Sequence, residues 1–325
     1  MRGRSLLVER SRAARLWQSG ARAARNVSQS AVSASLNTPD ASVSSQDSDS
    51  EGEKEKGSTQ THFGFRTIRK ELKSSLVGQV FSSVAPSYDV MNDLMSGGIH
   101  RVWKDLFVKN MCAQSKGLSV LDVAGGTGDI AFRIIEERRR AAVLRDMSST
   151  SYTTPVMVCD INDEMLKVGR ERANTRGYTS SEVSFFQGDA EKLPIESDSV
   201  DIYCISFGMR NVTDVQKALQ EAFRVLRPGG RFMMLEFGKV DNPVVAQAYD
   251  LYSFNIIPKI GGIVASDEAS YQYLVESIRR FPSQKVFADM MRNTGFEEVS
   301  FLNRTFGVVA EYSGFKPKPG ENWTN

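Results

Sequence analysis

Between residues 118 and 237, apolar residues follow two alternating patterns along the chain. Short runs such as 118–124 are apolar without polar alternation, which is typical of strands buried on both faces of a parallel sheet. Longer stretches such as 214–226 repeat apolar residues at helical spacing, and this one stops at a Pro-Gly-Gly sequence. The patterns predict strands at 118–124, 156–160, 183–187, 200–206 and 231–237, and helices at 129–139, 163–174 and 214–226.

Strands that alternate with helices at this spacing predict right-handed βαβ units and a doubly wound, mostly parallel sheet. Two final strands, 297–303 and 305–312, predict an antiparallel C-terminal hairpin that brings the sheet to seven strands. Amphipathic pieces between residues 74 and 110 predict a helical N-terminal extension, and the aromatic-rich segment 244–280 predicts an inserted lid. The fold class is therefore α/β, with one folded domain at 63–325.

The first 62 residues have a composition that does not predict a folded core. Residues 1–36 contain seven Arg and one acid, with Ser and Ala as most of the remainder, which predicts a mitochondrial transit peptide. A disordered basic arm that binds nucleic acid is the alternative. Residues 37–62 are rich in Ser and acids and almost free of apolar side chains, so we expect a disordered linker.

The charge balance changes once this segment is set apart. The 325 residues include 41 basic and 39 acidic ones, a net charge of +2. Without residues 1–36 these numbers become 34 and 38, a net charge of −4, which argues against a nucleic-acid partner. The three cysteines (112, 159 and 204) have no C-x-x-C spacing, so the sequence predicts neither a disulfide scaffold nor a metal site.

A glycine-rich loop follows the first strand of the main sheet. The sequence Gly126-Thr-Gly-Asp-Ile-Ala matches G-x-G-x-x-A and opens a predicted helix, which indicates a nucleotide site. The flanking carboxylates of Asp122 and Asp129 disfavour the pyrophosphate of NAD, because a phosphate at a helix N-terminus needs positive potential. S-adenosylmethionine carries a sulfonium and an ammonium group, which carboxylates attract.

Two further acids follow the next strands of the predicted sheet. Ligands of open α/β sheets bind outside the carboxyl ends of the strands. We therefore expect Asp160 to accept hydrogen bonds from the ribose hydroxyls and Asp189 to accept one from the adenine amine. Each acid could instead cap a helix or close a turn, but four acids at the ends of one sheet favour the cofactor interpretation.

Several motifs resemble a known class of enzymes. Leu121-Asp-Val-Ala-Gly-Gly-Thr-Gly-Asp, Gly188-Asp-Ala-Glu-Lys-Leu-Pro and Arg224-Val-Leu-Arg-Pro-Gly-Gly-Arg are similar to motifs of class I S-adenosylmethionine-dependent methyltransferases. Two longer blocks are Phe81-x-x-Val-Ala-x-x-Tyr-Asp-x-Met-Asn-Asp and Ile205-Ser-Phe-Gly-Met-Arg-Asn-Val-Thr-Asp. With them, the chain from about 77 to 316 resembles the ubiquinone/menaquinone biosynthesis C-methyltransferase family.

This resemblance implies S-adenosylmethionine as the cofactor and C-methylation of a polyprenyl benzoquinol in ubiquinone biosynthesis as the function. It also implies a peripheral place on the matrix side of the mitochondrial inner membrane, among other subunits of a biosynthetic complex, and allows a homodimer. The chain departs from the family's usual spacing at residues 138–155, where we expect a surface loop.

The resemblance also implies roles for individual residues. It places seven residues at the cofactor, namely Gly126, Thr127, Gly128, Asp160, Asp189, Ala190 and Ser206. It places Arg210, Asn211 and Tyr88 at the substrate. A guanidinium is a poor base, so Arg210 would hold a phenolate or orient a water that accepts the proton; alternatively, it pairs with an acid in its loop and only shapes it. Tyr88 would donate to a quinol oxygen or be a packed aromatic residue.

The predicted lid at 244–280 would form an apolar channel for the polyprenyl tail, or else provide ordinary helix packing or a dimer contact. Two other functions compete with the methyltransferase. One is a non-catalytic scaffold subunit with the same fold, which the intact acidic set and the intact block around Arg210 disfavour. The other is an NAD-dependent oxidoreductase, which the acids of the glycine-rich loop disfavour.

Overall fold

The computed structural model describes most of the chain from residue 60 to residue 320. The described ranges are 60–84, 90, 92–93, 96–115, 117–144, 154–240, 242–255, 257, 259 and 268–320. The predicted transit peptide at 1–36, the predicted linker up to residue 59 and Tyr88 lie outside the described residues.

Nine strands and eight α-helices make up the described part. The strands are β1 (Gln60–Phe63), β2 (Arg66–Arg69), β3 (Val120–Val123), β4 (Val156–Asp160), β5 (Val183–Gln187), β6 (Val200–Ser206), β7 (Leu226–Phe237), β8 (Glu297–Arg304) and β9 (Val309–Phe315). The helices are α1 (Lys70–Val84), α2 (His100–Met111), α3 (Asp129–Leu144), α4 (Asp163–Thr175), α5 (Val215–Val225), α6 (Pro243–Asn255), α7 (Glu268–Arg280) and α8 (Gln284–Thr294).

The main sheet confirms the predicted α/β class. Its seven strands lie in the order β5-β4-β3-β6-β7-β9-β8. The pairs from β5 to β7 are parallel, whereas β9 is antiparallel to both β7 and β8. The sheet is therefore doubly wound from β3 outwards and ends in an antiparallel pair, as expected from the sequence.

Helices cover both faces of this sheet, which explains why the strands lack polar alternation. On one face Val120 packs with Phe107 of α2 and Ile134 of α3. On the other face Leu121 packs with residues of α5 and α8 such as Leu219 and Phe287. Burial of apolar area stabilises a folded protein by about 25 cal/mol per Å². It is the main source of stability here because the strands are covered on both faces of the sheet.

The C-terminal pair lies further along the chain than the sequence predicts. Strand β9 spans Val309–Phe315 instead of 305–312, because residues Thr305–Gly307 form a 3₁₀ turn. Strand β7 begins at Leu226, which pairs with Val200, so the Pro-Gly-Gly sequence lies within the strand and not before it.

An N-terminal hairpin precedes the predicted helical extension and was not predicted. Strands β1 and β2 pair antiparallel, with Gln60 opposite Arg69. Residues 60–62, assigned to the linker from the sequence, therefore belong to β1. The extension itself consists of α1 and α2, and the insertion after β7 consists of α6 and α7. Among the described residues, no helix combines the length and the apolar composition needed to cross a bilayer.

The expectation of a surface loop at 138–155 is wrong for its first part. Helix α3 continues to Leu144, and Arg138 is buried. Its guanidinium donates to the carbonyl oxygens of Ala113 at 3.0 Å, Thr154 at 3.1 Å and Leu118 at 2.8 Å. The arginine thus ties α3 to the segments on either side of it; residues 145–153 lie outside the described range.

We expect Arg138→Ala to destabilise the domain because it leaves three carbonyl oxygens without this donor. The free energy of unfolding from urea denaturation should fall by roughly 3 kcal/mol, since each unsatisfied buried acceptor costs about 1–3 kcal/mol. Arg140→Ala is the matched control, because Arg140 lies on the same helix and pairs with Glu137 at the surface. It should cost about 0.5 kcal/mol or less; equal losses in both variants would contradict the assignment.

Candidate active site

A cavity opens at the carboxyl ends of β3, β4 and β6, where residues from five parts of the chain meet. It holds about 760 Å³ of empty space, including its open mouth. The lining residues are Val77, Gly78, Phe81, Lys104, Asp122, Ala124, Gly125, Gly126, Thr127, Asp129, Ile130, Asp160, Ile161, Asn162, Met165, Ser206, Phe207, Gly208 and Asn211.

The glycine-rich loop turns tightly between β3 and α3. Gly126 and Gly128 have φ angles of +49° and +82°, and the N–H of Gly128 donates to the carbonyl oxygen of Gly125 at 2.8 Å. A Cβ atom on Gly128 would lie 2.9 Å from the ring of Phe132. Glycine is required at this position by both the left-handed backbone and the ring behind it. Gly126 lines the cavity, whereas Gly128 supports the loop without lining it.

Asp160 ends β4 and is half-buried at the cavity wall. Its Oδ2 accepts from the N–H of Gly126 and its Oδ1 from the N–H of Asn162, both at 2.9 Å. Burial raises the pKa of Asp160 to about 6, although these backbone donors oppose the shift. The carboxylate is therefore fixed beside the loop where the sequence placed it.

Asp122 is fully buried within β3 and also lines the cavity. The thiol of Cys204 contacts its Oδ1 at 3.7 Å, while Oδ2 has no hydrogen-bond partner among the described residues. Burial raises the pKa of Asp122 to about 7. An unsatisfied acceptor is costly inside a protein, so the position suits a cationic or hydrogen-bond-donating ligand.

Asp129 has partners that the sequence did not reveal. Lys104 donates to it at 2.9 Å and Arg133 at 3.1 Å. Burial alone would raise the pKa of Asp129, but these two cations bring it down to about 2. Its charge is thus balanced within the protein. The pattern of α2 could have revealed Lys104 as a buried partner, because this lysine shares the buried helix face with Trp103 and Phe107.

Ser206 and Thr127 lie where the resemblance places cofactor residues. Both line the cavity, and the Oγ of Ser206 has no hydrogen-bond partner within the described part of the chain. Asn162 was not predicted from the sequence. Its Oδ1 caps α4, and its Nδ2 donates to the carbonyl oxygen of Gly78 at 3.1 Å, which holds α1 against the cavity.

Asp189 and Ala190 follow β5, beside the cavity but outside its lining. Asp189 is exposed, and its Oδ1 accepts from the N–H of Glu191 at 2.9 Å. This contact is that of a residue that closes a turn, which is the alternative role expected from the sequence. The second carboxylate oxygen of Asp189 takes no part in the turn. The adenine role of Asp189 and Ala190 stays a prediction.

Arg210 and Asn211 lie in a 3₁₀ turn directly after β6. Asn211 lines the cavity, whereas the guanidinium of Arg210 is buried beside it. The Nη1 of Arg210 donates to Oε1 of Glu236 at 3.0 Å. The paired acid comes from the interior strand β7 and not from the loop of Arg210. Arg210 therefore pairs with an acid, as in the alternative expected from the sequence, but that acid belongs to the sheet.

The inserted helices lie next to this turn. Tyr273 of α7 donates its hydroxyl hydrogen to Oδ1 of Asn211 at 3.0 Å. A small apolar cluster fills the space between α7, α6 and α1, and its members are Ile257, Tyr271, Leu274, Val275, Phe81, Tyr252 and Phe254. The insertion is thus connected to the turn of Arg210 and Asn211.

The model of the ubiE/COQ5 methyltransferase family matches residues 69–316. The mitochondrial 2-methoxy-6-polyprenyl-1,4-benzoquinol methylase of Homo sapiens is 51% identical over 283 residues, which cover 81% of this chain and 86% of that protein. The protein of the same name from Oryza sativa subsp. japonica is 53% identical over 261 residues, covering 79% of this chain and 88% of its own length. The matched segment contains all of the cavity. The chain therefore belongs to the ubiE/COQ5 methyltransferase family and is an enzyme that uses S-adenosylmethionine as the methyl donor.

Proposed function

We propose that the chain methylates a ring carbon of 2-methoxy-6-polyprenyl-1,4-benzoquinol in ubiquinone biosynthesis, the substrate for which its relatives are named. One observation of the structure supports this most directly. A single cavity combines strand-end carboxylates suited to a cationic cofactor with the Asn211 turn, which supplies polar groups for a second substrate. The scaffold alternative offers no reason for this combination.

The described residues fit S-adenosylmethionine, which supplies an electrophilic methyl group. The unpartnered Oδ2 of Asp122 and Oγ of Ser206 are acceptors at the cavity wall. Asp160 is fixed at the loop and would accept from the ribose hydroxyls, with Thr127 beside it. Asp189 and Ala190 would contact the adenine from the end of β5. The glycines allow the backbone to approach the ligand closely.

On the substrate side, the chain must hold a quinol ring so that its nucleophilic carbon meets the methyl group. Such positioning contributes several kcal/mol to catalysis. Asn211 and Arg210 would bind a quinol oxygen and stabilise it as a phenolate, which makes the ring carbon more nucleophilic. The guanidinium donates to Glu236 and is a poor base. It therefore acts by holding the oxygen or a water that receives the proton, and Tyr88 would donate to a quinol oxygen.

The helices of the insertion would receive the polyprenyl tail. Their apolar cluster lies between α6, α7 and α1, next to the Asn211 turn. Tail burial there would contribute about 0.8 kcal/mol for each CH₂ group.

Further proposals concern the location of the enzyme. The Arg-rich segment 1–36 and the word mitochondrial in the names of the relatives support import into the matrix. A long polyprenyl tail keeps its substrate in the membrane, so we propose peripheral attachment to the inner membrane. The same proposal includes that the enzyme associates with other biosynthetic subunits or forms a homodimer.

The first test is methyl transfer from labelled S-adenosylmethionine to the demethylated quinol. The wild-type chain should produce a ring-methylated quinol, and a scaffold subunit would bind the cofactor without turnover.

Arg210→Ala should lower kcat by about 10²–10³-fold, as loss of a charge-stabilising donor does in other enzymes. Calorimetry should show an S-adenosylmethionine Kd within about twofold of wild type, because Arg210 lies outside the cavity lining. Unchanged turnover would remove Arg210 from the mechanism.

Cofactor affinity should depend on pH through the two buried acids. Asp122 and Asp160 have pKa values raised to about 7 and about 6, so both are neutral in acid and charged above these values. S-adenosylmethionine should therefore bind more weakly as the pH falls below about 7, approaching roughly tenfold for each pH unit and each protonated acid. Calorimetry at pH 5, 6 and 8 measures this. In Asp160→Asn the part of the decline below pH 6 should disappear; its persistence would exclude Asp160 as the cause.

The tail-binding role of the insertion can be tested with two quinols of different chain length. Phe254→Ala should lower kcat/KM for a long-tailed quinol by about tenfold, since a buried aromatic side chain contributes about 1.5–3 kcal/mol. It should change the value for a tail-less quinol by less than about twofold. Phe301→Ala, at a surface position of β8, is the matched control. Equal losses for both quinols would instead indicate a packing defect.

A further inference from the structure

We infer that Glu236 and Tyr273 are the positioning residues of the substrate-side pair, with Glu236 holding Arg210 from the sheet and Tyr273 holding Asn211 from the inserted helix α7. This inference rests on the proposed function, because it assigns a purpose to the contacts of Arg210 and Asn211. Neither positioning residue lines the cavity. They would act through the residues that face the substrate.

Glu236 is the penultimate residue of β7 and is fully buried. Its Oε2 accepts from the backbone N–H of Arg210 at 3.2 Å, and its Oε1 accepts from Nη1 of Arg210 at 3.0 Å. Oε1 also accepts from the N–H of Phe237 at 2.9 Å, which orients the carboxylate. One carboxylate thus fixes both the backbone and the guanidinium of Arg210.

The contacts of Arg210 within the protein do not use every donor of its guanidinium. Nη1 also donates to the carbonyl oxygen of Phe207, and the guanidinium lies 5.4 Å from the ring centre of Phe237. The Nε atom is buried and has no hydrogen-bond partner among the described residues. An unsatisfied buried donor on a charged group is costly, and a quinol oxygen that reached the guanidinium behind the cavity lining would satisfy it. The Glu236 contact keeps the group in that orientation.

Tyr273 orients the amide of Asn211. Its hydroxyl donates to Oδ1 of Asn211 at 3.0 Å, so the amide nitrogen of Asn211 is the atom left to donate to the substrate. Burial raises the pKa of Tyr273 to about 12, which keeps the hydroxyl protonated at neutral pH. The ring of Tyr273 stacks on Phe63 of β1 with 4.2 Å between the ring centres. The N-terminal hairpin therefore holds the ring of Tyr273, and the hydroxyl of Tyr273 orients the amide of Asn211.

The first experiment is Tyr273→Phe, which removes the hydrogen bond but keeps the ring and its stacking on Phe63. We expect kcat to fall about tenfold while KM for the quinol and Kd for S-adenosylmethionine stay within about twofold, because misplacement of a group costs rate more than affinity. Tyr312→Phe is the matched control, since the hydroxyl of Tyr312 is buried without a hydrogen-bond partner in the described part of the chain. Wild-type kcat in Tyr273→Phe would overturn the role of Tyr273.

The second experiment compares Glu236→Gln with Glu236→Asp. The amide should lower kcat about 100-fold, as a misplacement of about 1 Å does, and the shorter carboxylate should recover part of the rate. Glu311→Gln is the control, because Glu311 is also a buried acid of the sheet but is bound by Asn110 and Arg304 instead of Arg210. Rates are expressed per site that binds S-adenosylmethionine, which corrects for unfolded protein. Equal losses in Gln and Asp, with lost cofactor binding, would show a structural role only and overturn the inference.

A readout that needs no quinol separates this inference from the proposed function. In the spectrum of ¹⁵N-arginine-labelled protein, the Nε–H signal of Arg210 is identified by its absence in Arg210→Lys. It should shift or broaden in Glu236→Gln and stay in place in Glu311→Gln. An unmoved signal would mean that Glu236 does not hold Arg210. A wild-type chain that leaves the quinol unmethylated, yet shows the shift, would count against the proposed function alone.

Discussion

Parallel pairing of the strands from β5 to β7 is the constraint on which the site depends, because it brings their carboxyl ends to one edge of the sheet. The glycine-rich loop after β3, Asp160 at the end of β4 and the Arg210 turn after β6 are far apart in sequence and meet only there. Right-handed helical crossovers on both faces are what make parallel pairing possible. Burial of the strands on both faces then keeps that edge rigid enough to hold a ligand.

The three acids that line the cavity have different surroundings. Lysine and arginine side chains balance the charge of Asp129, whereas Asp160 accepts hydrogen bonds from backbone N–H groups. Asp122 has one oxygen without a partner among the described residues. The protein therefore leaves its uncompensated negative potential deep in the cavity, beside β3. A cationic ligand would find a favourable position beside Asp122 and Asp160, because backbone N–H donors orient the carboxylate of Asp160 without removing its charge.

Local patterns predicted the elements of the main sheet and its mostly parallel pairing, because two-sided burial and helical spacing are properties of neighbouring residues. The position of Asp160 at a strand end pointed to the cofactor, whereas Ser206 and Asn211 came from the family resemblance; all three line one cavity. Local patterns missed the partners of these residues, since the sequence separation between Arg210 and Glu236, or between Asn211 and Tyr273, can be closed only by the complete fold. The expectation of a surface loop from residue 138 onwards failed for the same reason. Arg138 is a charged residue, but it is buried because its guanidinium donates to carbonyl oxygens that are distant in sequence.

The position of β9 has a consequence for the order in which the protein can be completed. This strand follows β8 along the chain, yet it lies between β7 and β8 inside the sheet. Its Ala310 is paired with Glu236, the acid that holds Arg210. A chain that ends before Val309 therefore has every residue that lines the cavity. Its strand β7, however, has an unpaired edge beside Glu236 and the Arg210 turn. The sheet therefore closes beside that turn only when β9 is inserted, and loss of β9 removes an interior strand instead of an edge.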